Sequence, residues 1–133
     1  MKQHPDVPHE LIARARSIYL GFPEAREEAA WVGVRWRIRA KTFAHVLVID
    51  AGWPPAYAKA AGSDGPVCVL TFRSFLPEVN NAAFREHPFF KPVWWPDIAG
   101  MIFGDGTDWD EVSALLAASY RKMSPAKLAK LVQ

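Results

Sequence analysis

Apolar and cationic residues alternate four times over Val34-Arg-Trp-Arg-Ile-Arg-Ala-Lys41. A period of two is that of a β-strand, so Val34, Trp36, Ile38 and Ala40 face a core and Arg35, Arg37, Arg39 and Lys41 face away from it. Phe43–Asp50 reads as the next strand. A tight turn at Ala40-Lys41 sets Arg39 opposite Thr42, Ile38 opposite Phe43 and Trp36 opposite His45, with Trp36, Ile38, Phe43, Leu47 and Ile49 on one face. Val67–Arg73 gives a third strand, with Cys68, Leu70 and Phe72 inward and Val69, Thr71 and Arg73 on the cationic side. Lys91–Pro96 and Ile98–Phe103 predict a closing hairpin, whose prolines place the former at a sheet edge.

The helical period appears at both ends of the chain. Leu11, Ile12, Ala15, Ile18 and Tyr19 share one face of a helix over His9–Leu20, stopped by Gly21-Phe-Pro23. Val112, Leu115, Leu116, Ser119 and Tyr120 share the face of another, capped by Thr107 or Asp108 and favoured by Asp110 and Glu111 in its first turn. A short helix over Glu78–Glu86 turns Val79, Ala82, Ala83 and Phe84 inward, and Ser124-Pro125 opens a last one carrying Leu128, Leu131 and Val132. Ala51–Pro66, rich in Gly, Pro and Ala, carries no period and reads as a long loop with a mobile tip. Residues 1–8 read as a flexible N-terminus. The expected fold is α+β: one domain over residues 1–133, an antiparallel sheet of about five strands with N-terminal and C-terminal helices packed on it.

Composition narrows the class. Half of the 133 residues are hydrophobic, enough for one core. No apolar run approaches the roughly 18 residues that span a bilayer, so no membrane partner is expected. The lone Cys68 has no internal disulfide partner and sits in an apolar run, which points to a reducing, cytoplasmic setting. The net charge of +2 is small. Its distribution is uneven, with basic residues gathered in 11–42 and 121–133 around an acidic middle.

Chemistry-bearing motifs are sparse. His4, His9, His45 and His87 form no zinc-ligand pair, the acids from Asp105 to Glu111 lack calcium-loop spacing, and no phosphate loop or nucleophile elbow occurs. The reading is non-enzymatic, with no metal, cofactor or catalytic residue. Two features remain. The cationic strand face suits duplex DNA, with Arg35, Arg37, Arg39 and Lys41 contacting phosphates and Lys59 on a flanking loop. Pairing of that face with Glu24, Glu27 and Glu28 is the competing account. Trp53, Trp94 and Trp95, in loops or at strand edges, suit instead a protein or small ligand bound beside the long loop.

Phe22-Pro23-Glu24, the Lys41-Thr42-Phe43 step and Ser119-Tyr120, in this succession of elements, resemble the MmcQ/YjbR family of small bacterial proteins over most of residues 10–131. The resemblance implies an antiparallel α+β domain similar to the bacterial frataxin fold. It also implies DNA binding through a proposed double-wing arrangement of hairpins, with no established reaction. The chain departs from the family in having Ala40 where glycine usually precedes the lysine, and in its longer Ala51–Pro66 segment. Arg14 and Arg16 on the first helix replace the acidic ridge that a frataxin-like iron role needs.

Overall fold

The computed structural model describes residues 5–75, 79–94 and 96–132. The alternating stretch forms β2 (Val34–Ile38) and continues through a turn into β3 (Lys41–Ile49). The other strands are β1 (Ala25–Ala29), β4 (Val67–Arg73), β5 (Phe89–Phe90) and β6 (Ile98–Phe103). They form one sheet in the order β1-β2-β3-β4-β6-β5, antiparallel throughout. Helices α1 (His9–Tyr19), α3 (Trp109–Met123) and α4 (Ala126–Ala129) cover one face, and α2 (Pro55–Ala61) covers part of the other. The expected α+β architecture holds, with six strands in place of five.

The main core lies under α1 and α3. Trp36, Ile38, Phe43, Val46, Leu70 and Phe72 from the sheet meet Ile12, Ala15, Val112, Leu116 and Tyr120 from the helices. Asp108 caps α3 by accepting from the amides of Asp110 and Glu111, which satisfies donors that a helix start leaves open. Leu115, expected in the core, is half-buried.

The turn and register differ from expectation. Arg39 and Ala40 make the turn, with Arg39 at φ 54°, so Ile38 pairs with Lys41 and Arg37 with Thr42. Trp36 then pairs with Ala44, which makes Phe43 the extra residue of a β-bulge. The bulge resets the alternation. Phe43 stays with Trp36 and Ile38, whereas His45, Leu47 and Ile49 turn to the opposite face. There Leu47, Ile49 and Val69 form a second core with Val32, Ala58 and Phe90.

The motifs behind the family resemblance meet at this bulge. The Phe43 carbonyl accepts from the Ser119 hydroxyl, whose oxygen accepts from the Arg73 amide at 2.8 Å. The Tyr120 hydroxyl donates to the Pro23 carbonyl at 2.7 Å, and its ring packs against Phe22 and Phe43. These residues clamp α3 to the sheet. Ser119→Ala should therefore cost about 1–3 kcal/mol, because it leaves a buried donor and acceptor without their partner. A urea titration with an unchanged midpoint would show that the clamp carries no stability.

Five further expectations need correction. The segment from Glu24 to Glu28, which the sequence pattern assigns to no element, contains most of edge strand β1. Within Ala51–Pro66, Pro55–Ala61 is helical, with proline in its first turn and Gly62 in the left-handed conformation at its end, so it is not a loop throughout. Of the helix expected over Glu78–Glu86, Glu78 lies outside the described residues, Val79 is helical and buried, and Ala82–Arg85 form a short 3-10 turn with both alanines exposed. Phe89–Phe90 pairs with β6 where Lys91–Pro96 was expected to. Residues 1–4 lie outside the described residues, but Val7 of the expected flexible N-terminus packs in the core.

Candidate functional site

Arg35 and Arg37 share a face as the alternation predicts, and β1 lies beside them. Arg39 stands in the turn, and Lys41, paired with Ile38, falls on the opposite side of the sheet from the arginines because the turn begins one residue earlier than expected. Across the β1–β2 pairing Arg26 faces Arg37 and Glu28 faces Arg35. Glu28 accepts from Arg26 at 3.1 Å, Arg35 at 3.0 Å and Arg37 at 3.4 Å. Partial desolvation works to raise the Glu28 carboxyl, but the three guanidinium groups outweigh it and hold it below its ordinary range. Arg39 reaches Glu24 at 3.4 Å. Arg37 and Arg26 also donate to the carbonyls of Ala40 and Arg39, so the stripe braces its own turn. Glu27, on the helix face, accepts from Arg16 at 3.0 and 2.7 Å, from Tyr19 and from the Trp36 indole; chiefly Arg16 lowers its pKa.

The stripe is thus paired internally and still carries surplus positive charge. Arg26, Arg35 and Arg37 share one carboxylate; Lys41, beyond the turn on the Ile38 side of the sheet, has no ion pair among the described residues. Such exposed pairs contribute roughly 0.2–1 kcal/mol each. Lys59 does not join them: it stands in the last turn of α2, in a shallow depression lined by Gly52, Pro55 and Asp64.

A second feature lies on the same face of the sheet, where the cover given by α2 ends. Along β3 and β4 the apolar Leu47, Ile49 and Val69 give way to His45, Thr42, Thr71 and Arg73. These polar residues and Ile98 floor a cleft of about 150 Å³, walled by Tyr57 of α2 and by Trp94. The two rings meet edge to face with centroids 4.6 Å apart. Trp94, a sequence candidate for partner binding, lines this cleft, on an irregular segment and not on a strand. Trp95 lies outside the described residues. Trp53 meets the exposed Trp31 edge to face in a different depression, beside the start of α1, so the structure separates it from Trp94.

Sequence reasoning missed Tyr57. Pro54-Pro55 ahead of the segment and Gly62 behind it are helix-boundary signals that could have exposed it. Its orientation is fixed by His45, whose Nε2 bonds the Val32 carbonyl at 2.7 Å and whose Nδ1 lies 3.2 Å from the Tyr57 hydroxyl. A carbonyl can only accept, so Nε2 carries the proton and Nδ1 accepts from Tyr57. Burial lowers the His45 pKa, with nearby Arg35 adding to the shift, against an opposing contribution from the Val32 bond. Folding therefore disfavours its proton, and the stability His45 contributes is complete above its ordinary value of 6.5 and lost as pH falls below it. His45→Gln should flatten the stability profile on the acid side of that value. Parallel profiles for the two proteins would contradict the assignment. Half-buried Cys68 plays no part here; burial pushes its thiol up to about 12.

No protein-family model matches the chain. No curated protein matches it either. Among solved structures, it is similar to the crystal structure of a protein from Pseudomonas syringae determined as a structural genomics target. The two share 14% sequence identity with a TM-score of 0.65, over 89% of this chain and 99% of that one. At that identity the likeness establishes the fold. No helix among the described residues is long and apolar enough to cross a membrane.

Proposed function

We propose that this protein is a non-enzymatic binding module that takes a small ligand in the cleft bordered by the packed Tyr57–Trp94 pair. The observation that carries the reading is the cleft itself: two aromatic walls over hydrogen-bonding side chains, at the point where α2 stops covering the sheet. Apolar walls with a few convergent polar groups are the usual composition of a ligand site. His45 adds preorganisation, because Tyr57 is already held in place before anything binds. The cytoplasmic setting inferred from Cys68 belongs to the same reading.

Ligand-observed NMR against a library of single-ring fragments tests it. Binders should be found and should be lost on Trp94→Ala, a change at a side chain exposed enough (36%) to leave the core intact. Fragments that bind wild type and variant alike would contradict the cleft.

Duplex DNA is the second reading, favoured by the surplus of cations around Glu28 and by the family resemblance. Phosphates would have to compete with Glu24 and Glu28 for Arg35, Arg37 and Arg39, whereas Lys41 is unengaged among the described residues. This reading expects weak, salt-sensitive affinity of roughly 10⁻⁴ to 10⁻⁶ M. Lys41→Glu should weaken it without loss of stability, and Lys59→Glu should leave it nearly unchanged.

A further inference from the structure

The cleft's electrostatic surroundings narrow its ligand, on the basis of the binding reading above. Two charge clusters border it. On one side Arg35 and Arg37, cross-strand neighbours of the cleft residues His45 and Thr42, share Glu28 with Arg26. On the other, Arg73 in the cleft floor lies 2.7 Å from Asp97, and Lys122 approaches the same carboxylate at 3.8 Å. Each cluster holds more cations than carboxylates, so both make the potential at the cleft positive. A concave site with low-dielectric walls focuses such a field. Thr42 and Thr71, in the floor between the clusters, supply hydroxyl groups that can donate to an anion.

Size and shape restrict the rest of the ligand. A space of about 150 Å³ is comparable to a cavity that takes one benzene ring. The Tyr57 and Trp94 side chains offer ring contacts to a flat group, for which a saturated ring of equal size is a poorer match.

We propose that the cleft binds a small planar anion, an aromatic or heteroaromatic carboxylate of one ring. The ring lies against Tyr57 and Trp94, and the carboxylate lies over Thr42, Thr71 and Arg73. Nothing in the arrangement calls for a covalent step.

The test compares benzoate, benzamide and cyclohexanecarboxylate by chemical-shift titration of the labelled protein at low salt. Benzoate should bind at least about tenfold more tightly than benzamide, the factor expected for a charged over a neutral hydrogen-bonding group. It should also bind more tightly than cyclohexanecarboxylate, weaken as salt rises, and weaken on Thr71→Val in a protein whose spectrum is otherwise unchanged. Equal binding of benzoate and benzamide in the cleft would overturn the anion inference and leave the binding reading standing. Equal binding of benzoate and cyclohexanecarboxylate would overturn the planar requirement. Failure of all three probes and of the neutral fragments to move cleft signals would overturn both proposals.

Discussion

Trp36→Ala should lower the unfolding free energy by about 3–5 kcal/mol, the range for truncating a large aromatic side chain in a packed core. Trp36 is 1% exposed and heads the fully buried side chains by size. Its ring packs on Tyr19 at 5.8 Å, and its indole N–H donates to Glu27 at 3.1 Å. Truncation leaves a cavity beneath α1 and removes one of the donors that hold the Glu27 carboxylate, which sits at the junction of α1, β1 and β2. Trp36→Phe, which keeps a ring and loses only the donor among polar groups, should cost less. In denaturant titrations both variants should shift the midpoint at an unchanged slope. A loss below about 1 kcal/mol for the alanine variant would mean that this part of the sheet is not packed as described.

Gly33→Ala should be at least as damaging, for a reason of backbone geometry. Gly33 adopts φ +73° in the turn between β1 and β2, a conformation that side chains disfavour. A Cβ there would lie 2.0 Å from the Val46 carbonyl oxygen and 2.9 Å from the Leu47 Cα. Both obstacles are backbone of the central strand β3, so relief requires separating β2 from β3 near the Val34–Val46 pair. A loss above about 4 kcal/mol follows, with collapse of amide dispersion in NMR spectra. Gly106→Ala is the control: a Cβ there meets nothing within 4 Å, and the change should stay within about 0.5 kcal/mol of wild type. A well-folded Gly33→Ala protein of normal stability would contradict the turn.

These two positions show what the sequence made legible. Trp36 sits where the alternation of Val34–Lys41 put it, because strong periodicity with bulky inward residues specifies a face. The closing helix was equally legible from its apolar spacing and its aspartate cap. Strand β1 was not, since Ala-Arg-Glu-Glu-Ala has no apolar alternation, and its pairing depends on arginines that follow it in the chain. Nor was the bulge at Phe43: one inserted residue exchanges the faces of Leu47 and Ile49 without altering composition. Helix α2 escaped notice because Pro-Ala-Tyr-Ala-Lys-Ala-Ala buries small alanines that leave little periodic signal.

The cleft was legible only in part. Trp94 stood out as a candidate, but the ring packed against it is Tyr57, brought there by a helix that the composition disguised. His45, expected opposite Trp36 on the core face, lies on the other face and makes two hydrogen bonds there. The arginines illustrate the opposite case. The shared face of Arg35 and Arg37 was visible in the sequence, and so was pairing with Glu24 and Glu28 as one of two accounts; only the contacts of the folded sheet show that it forms, with Glu27 turned instead to Arg16.

The central claim is that the Tyr57–Trp94 cleft, and not the arginine face, is the principal binding surface. Backbone and indole NMR signals of the labelled protein, titrated at low salt with single-ring fragments and in parallel with a short DNA duplex, test it most directly. The account predicts saturable shifts at Thr42, His45, Tyr57, Thr71 and the Trp94 indole with a fragment, larger than any produced there by the duplex. Unmoved cleft signals with every fragment, together with saturable shifts at Arg35, Arg37, Arg39 and Lys41 on adding duplex, would contradict it.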